Sequence, residues 1–194
     1  MDQTSLDPMV TRRQKRRRAL LAILLSASLA TLGAGAVSLA QFTDTATAAG
    51  TWTTGTIVLG VSPATVFSAT NVFPGDSGSQ TVQVQNNGTG ALRYALTSNA
   101  TNTDGKGLAA QMTLSIDQGA CGSTTGNLYT GALGSAAFGN PAQGANAGDR
   151  NIAAGNTDNL CFSWSLPLAT GNAYQNATTT ATFTFSAEQT ANNP

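Results

Sequence analysis

The chain has 194 residues, enough for one domain with a tail. Only 9% of them are charged, against about 25% in an ordinary soluble domain. Six of the nine basic residues fall between Arg12 and Arg18, and beyond Ala40 three bases (Arg93, Lys106 and Arg150) stand against seven acids, a net charge of −4. Bases so few and scattered cannot neutralise a run of phosphates, which argues against a nucleic-acid partner. There is no histidine, so histidine general-base catalysis, Ser–His–Asp triads and imidazole-built zinc sites are all excluded.

Residues 1–40 have the layout of a signal peptide. A polar n-region, 1–18, ends in the cluster Arg12, Arg13, Lys15, Arg16, Arg17 and Arg18. An uncharged h-region rich in Leu and Ala covers 19–37, and Ser38-Leu39-Ala40 fits a small-x-small cleavage site. Cleavage is expected between Ala40 and Gln41. The alternative is an uncleaved anchor, since Ala19–Ala40 is about the length that spans a bilayer. Gly33, Gly35 and several Ser and Thr in its distal half favour cleavage. Membrane contact is expected only through the uncleaved leader.

The remainder, 41–194, is rich in Thr and Gly and poor in helix formers. β-Branched Thr fits a pleated surface, and short apolar alternations recur. Thr51–Val61 reads as a first strand with Gly55 at a bulge. Pro74-Gly75-Asp76 reads as a turn leading into Gln80–Gln85, where Val82 and Val84 share a face. Asn86-Asn87-Gly88 supplies the next turn. Leu92, Tyr94 and Leu96 share a face, as do Met112, Leu114 and Ile116. The clearest alternation is Leu160, Phe162, Trp164 and Leu166, and Ala181, Phe183 and Phe185 line the last strand. At least six strands with single apolar faces predict an all-β sandwich of two sheets that cover each other. Between them, 122–159 is rich in Gly, Ala and Asn and reads as a long loop with one short strand near Leu128 and Tyr129.

Cys121 and Cys161 are the only cysteines. In an exported chain a structural disulfide is the default; two buried thiols or an active dithiol are the alternatives, and a redox pair usually has closer spacing. Gly75-Asp76-Ser77-Gly78 has the string found around serine-protease nucleophiles, but no histidine exists to serve as its base, so a turn is the better reading. Asn102-Thr103-Asp104-Gly105 is a fragment of a calcium loop without the further carboxylates. Trp164, within the apolar alternation, reads as core. Trp52 is open to either core packing or sugar stacking. No cofactor is expected.

Three blocks of the chain resemble the TasA/camelysin family of Gram-positive exported proteins. The first is Phe42-Thr43-Asp44 followed by Gly55-Thr56-Ile57-Val58-Leu59. The second is Pro74-Gly75-Asp76, the strand after it, and Asn86-Asn87-Gly88. The third runs from Tyr174 to the close at Ala187-Glu188-Gln189. The resemblance implies a leader cut by a SipW-type signal peptidase and a jelly-roll-like antiparallel β-sandwich outside the cell. It further implies a biofilm-matrix fibre in which the N-terminal segment of one subunit completes a sheet of the next, a homo-oligomer built by strand addition. The candidate donor is Gln41–Gly55, with Gln41, Phe42, Asp44, Trp52 and Gly55; its alternative role is an ordinary first strand. Some relatives are described as metalloproteases, an activity this chain is not expected to share. The competing function is a secreted module that binds a sugar or surface partner through 122–159.

Overall fold

The computed structural model describes residues 47–193. The leader and its expected cleavage point at Ala40 and Gln41 lie outside them. Among the described residues nine strands form two antiparallel sheets. They are β1 (Leu59–Ser62), β2 (Ser77–Asn86), β3 (Leu92–Ala100), β4 (Thr113–Gln118), β5 (Gly126–Ala132), β6 (Ala137–Phe138), β7 (Arg150–Ile152), β8 (Thr157–Ser165) and β9 (Ala181–Gln189). One sheet has the order β1-β2-β8-β4-β5. In the other, β3 is central: β9 pairs along its whole length, and β6 and β7 share its opposite edge. The chain crosses between the sheets at β2–β3, β3–β4, β5–β6, β7–β8 and β8–β9, a jelly-roll-like wrap. One helical turn, α1 (Leu108–Gln111), precedes β4.

The alternations read from sequence set the inner faces. Val82, Val84, Leu114, Ile116, Leu160 and Phe162 of the wide sheet meet Leu92, Tyr94 and Leu96 of the narrow one, all at 0–1% exposure. Phe162 stands edge-on to Phe183 across the sandwich, with ring centroids 5.1 Å apart. Burial of this kind is the main favourable term in folding. Trp164 is buried, with Phe67 edge-on to it.

The segment 122–159 is not one loop. It carries β5, β6, β7 and the start of β8. Its strands are short or lie at a sheet edge, so they need few large apolar residues and leave little periodic signal. Asp149 organises the stretch between β6 and β7, accepting from the backbone N–H of Asn140 and of Asn146.

Polar ties cross the sandwich. The Tyr94 hydroxyl donates to Asp158 (2.7 Å), which also receives both arms of Arg150, at 2.6 and 2.9 Å. Burial, then the hydrogen bond to Asp158, pushes the Tyr94 phenol far above its ordinary range, so it stays protonated and remains a donor. On the outer face of the narrow sheet, buried Arg93 donates to Glu188 (2.6 Å) and to the carbonyl of Asn193. Cys121 and Cys161 are joined in a disulfide that ties the β4–β5 turn to β8. With the half-cystines separated by 40 positions, the link removes about 4 kcal/mol of unfolded-state entropy in the loop-closure account.

Two outcomes follow from this packing. Phe162→Ala should lower the unfolding free energy by about 3–5 kcal/mol, while Trp52→Ala, at a side chain 90% exposed, should change it by less than about 0.5 kcal/mol in urea titrations. The second concerns acid. The hydrogen bond from Arg93, helped by Asn193 and the Gly144 N–H, holds Glu188 below its ordinary value of 4.5. A carboxylate depressed in the folded state stabilises above its unfolded value and loses that contribution as pH falls through the folded one. Glu188→Gln should therefore be less stable than wild type at neutral pH, with the gap closing as pH drops below 4.5. A gap that stays constant with pH would contradict this.

Candidate functional site

The sheets are unequal in width, and the site arises from that. β5 leads through a three-residue 3-10 turn, Leu133–Ser135, straight into β6. The β6–β7 edge of the narrow sheet therefore lies over the β5 side, and β9, across β3, lies over the β1–β2 side. Among the described residues β9 pairs with β3 alone, so its outer edge is open over nine residues. Ala181, Phe183, Phe185 and Ala187 turn toward the core but are only half-buried. Their neighbours Leu96 and Tyr94 on β3 are fully buried. The difference is cover: β3 has strands on both sides and β9 has one.

The wide sheet is incomplete on the same side. β1 pairs only with Gln83–Asn86 of β2. Over Ser77–Val82, β2 has β8 on one edge and no strand on the other among the described residues. Gln80 occupies the core-facing row, in register with buried Phe162, yet is exposed. The chain from Pro63 to Thr70 passes here without forming a strand, held by half-buried Val66 and Phe67. The result is a seam along β9 and the first half of β2, apolar at its floor and rimmed by backbone that has no partner among the described residues. Such an edge is a template for an added strand.

The expected first strand, Thr51–Val61, is a strand only from Leu59 onward. Its earlier part pairs with a turn instead. Val58 accepts from the Asn87 N–H (2.8 Å), Thr56 accepts from the Thr89 N–H (3.0 Å), and the Thr56 N–H donates to the Thr89 hydroxyl (2.9 Å). Gly88 permits this approach, since a Cβ there would lie 2.3 Å from the Thr56 carbonyl oxygen. Gly55 is exposed outside any strand rather than at a bulge. Trp52 is 90% exposed and does not join the core. Gln41, Phe42 and Asp44 lie outside the described residues.

The chain turns at both Pro74-Gly75-Asp76 and Asn86-Asn87-Gly88. Gly75 takes a positive φ of 97° in the Pro74-Gly75-Asp76 turn, and Asp76 accepts from the Phe73 N–H. Asn86 goes beyond a turn residue. It is 1% exposed, donates to the carbonyls of Gly90 and Ile152, and accepts from the Gly88 N–H. This buried side-chain tie was invisible in the sequence, where only the turn type could be read.

The other motifs carry no visible chemistry. Ser77 opens β2 opposite Ser165, its neighbour Asp76 closing the turn before it. Asp104 receives the backbone N–H groups of Lys106 and Thr178, which hold its carboxyl below the ordinary range. Asp117 is bound by Asn127 and Ser115, Asp149 by two backbone amides, Asp158 by Arg150 and Tyr94, and Glu188 by Arg93. Each described carboxylate is thus committed locally. Among the described residues no three Asp, Glu, Cys or His gather as a metal site. A shallow hollow of about 340 Å³ on the outer face of the wide sheet is lined by Ser and Thr side chains of β2, β4 and β8 together with Gly78 and Trp164.

No helix of the described residues is long and apolar enough to cross a membrane. No curated protein matches the chain. A family model described as camelysin metallo-endopeptidase matches residues 15–113, which takes in the end of the basic cluster, the apolar run and the sandwich as far as the start of β4. The zinc centre that the description implies does not fit the residues present: the chain has no histidine, and its described carboxylates are dispersed and engaged. By its match over more than half its length, the chain belongs to the camelysin family.

Proposed function

We propose that the chain is a secreted structural subunit that assembles into a fibre at the cell surface or in a biofilm matrix, each subunit receiving the N-terminal segment of a neighbour along its open seam. The observation that carries this reading is the β9 edge: a nine-residue strand paired with β3 alone among the described residues, its outward-facing backbone groups lying beside Phe183 and Phe185, which a tenth strand would bury. Main-chain hydrogen bonds would supply the affinity and the half-exposed apolar row the fit. The donor is Gln41–Gly55, freed at its N-terminus by cleavage after Ala40. Its first ten residues, Gln41–Gly50, span about 33 Å when extended, against about 30 Å for β9, and the remaining five lead back to the donor's own subunit. Family membership and the disulfide agree with an extracellular subunit. The absence of any histidine and the committed carboxylates speak for structure over catalysis.

A binding module for a sugar or surface partner is the second reading, kept because Trp52 is an exposed aromatic platform. The segment 122–159 gives it little support, being mostly strands and a self-bonded turn.

The chain beginning at Gln41 should form regular filaments, seen by electron microscopy and by rising light scattering. The same chain lacking Gln41–Gly50 should remain unassembled. A chain that stays monomeric at high concentration, with Trp52 fluorescence that responds to a glycan, would favour the second reading.

A further inference from the structure

We infer that the exposed pair Phe73 and Leu168 is a docking surface for a second copy of this chain, receiving its Trp52, Ile57 and Val58 in a head-to-tail contact that accompanies strand donation; the inference rests on the donation reading.

Five large apolar side chains are exposed among the described residues: Trp52, Ile57, Val58, Phe73 and Leu168. Four of them form two pairs at opposite ends of the sandwich. Phe73 and Leu168 sit at the Ser77 end of β2. Their turns are clasped by the Gly75 N–H to the Leu166 carbonyl (2.7 Å) and the Leu166 N–H to the Asp76 carbonyl (2.9 Å). Leu168 closes against Gly75, its Cδ1 3.5 Å from where a Cβ would be. Ile57 and Val58 sit at the other end, where Thr56–Val58 is bonded to the turn that follows Asn86. Trp52 leads into them. Two different patches at opposite ends make a heterologous pair, which propagates into an open filament rather than closing a dimer.

The direction of strand addition brings the patches together. Every strand pairing in the structure is antiparallel, and antiparallel pairs are the more stable. β9 runs from Ala181, paired with Ala100, to Gln189, paired with Leu92 just after the Asn86 turn. It therefore points toward the Asn86 end. A donor antiparallel to it runs the other way and leaves the acceptor at the Ser77 end, beside Phe73 and Leu168. The donor re-enters its own subunit through Trp52–Val58, at that subunit's Asn86 end. With Gln41–Gly50 spent in the seam, only Thr51–Gly55 remains as a link, at most about 18 Å fully extended. The two apolar ends are held within reach of each other. The Phe73–Leu168 patch is small beside the ~800 Å² per partner of a stable interface, so it acts together with the strand and not in its place.

The test compares the chain from Gln41, which holds every residue of the folded core, with its Phe73→Ser/Leu168→Ser variant. Both altered side chains are exposed, so folding is preserved; matching urea midpoints check this. Two readouts are taken: filament growth by light scattering and electron microscopy, and binding of a labelled free peptide with the sequence Gln41–Gly50. The variant should bind the peptide as wild type does but grow filaments at least about tenfold more slowly. Filament growth at the wild-type rate overturns the docking surface. Loss of peptide binding in the variant overturns it too, because the pair would then belong to the strand seam. If wild type neither binds the peptide nor assembles, the donation reading fails and takes this inference with it.

Discussion

An apolar sheet face has to be covered, and here a sheet five strands wide is covered by one that is three wide. The centre of the sandwich satisfies that demand: Val82, Val84, Leu160 and Phe162 lie under Leu92, Tyr94 and Leu96 at no more than 1% exposure. The margin along β9 does not. Phe183 and Phe185 are packed from below and from one side, and the backbone beside them has no partner among the described residues. Natural sheets usually blunt such an edge with charge, proline or a bulge. β9 carries a single charge, Glu188, and that carboxylate is already bound to Arg93.

Ties around the sandwich anchor the strands that flank that edge. Tyr94, Arg150 and Asp158 bind the sheets to each other near the Asn86 end. The disulfide pins the β4–β5 turn to the central strand β8. Arg93, Glu188 and Asn193 hold the end of β9 against β3. A preorganised acceptor loses little freedom when a strand is added, which favours binding.

Much of the fold was legible in the residues. The five strong alternations each became a strand with the expected face inward, because a period of two survives wherever one face is buried. Cys121 and Cys161 pair as a structural disulfide, the expected reading of a lone cysteine pair. The segment 122–159 was obscure because short edge strands leave almost no apolar rhythm. The first strand was overread: Thr53, Thr54 and Thr56 favour extended backbone, but only Leu59–Ser62 finds a partner strand. The candidate site was the least legible part. An open edge is a fact of strand order, and no local pattern in Ala181–Gln189 distinguishes a strand paired on one side from one paired on both.

The most direct measurement is amide hydrogen exchange along Ala181–Gln189, in the unassembled chain and in its fibres. The account predicts that β9 exchanges faster than β3 in the free chain and becomes protected on assembly. Fibres in which β9 exchanges as it did before assembly would contradict it.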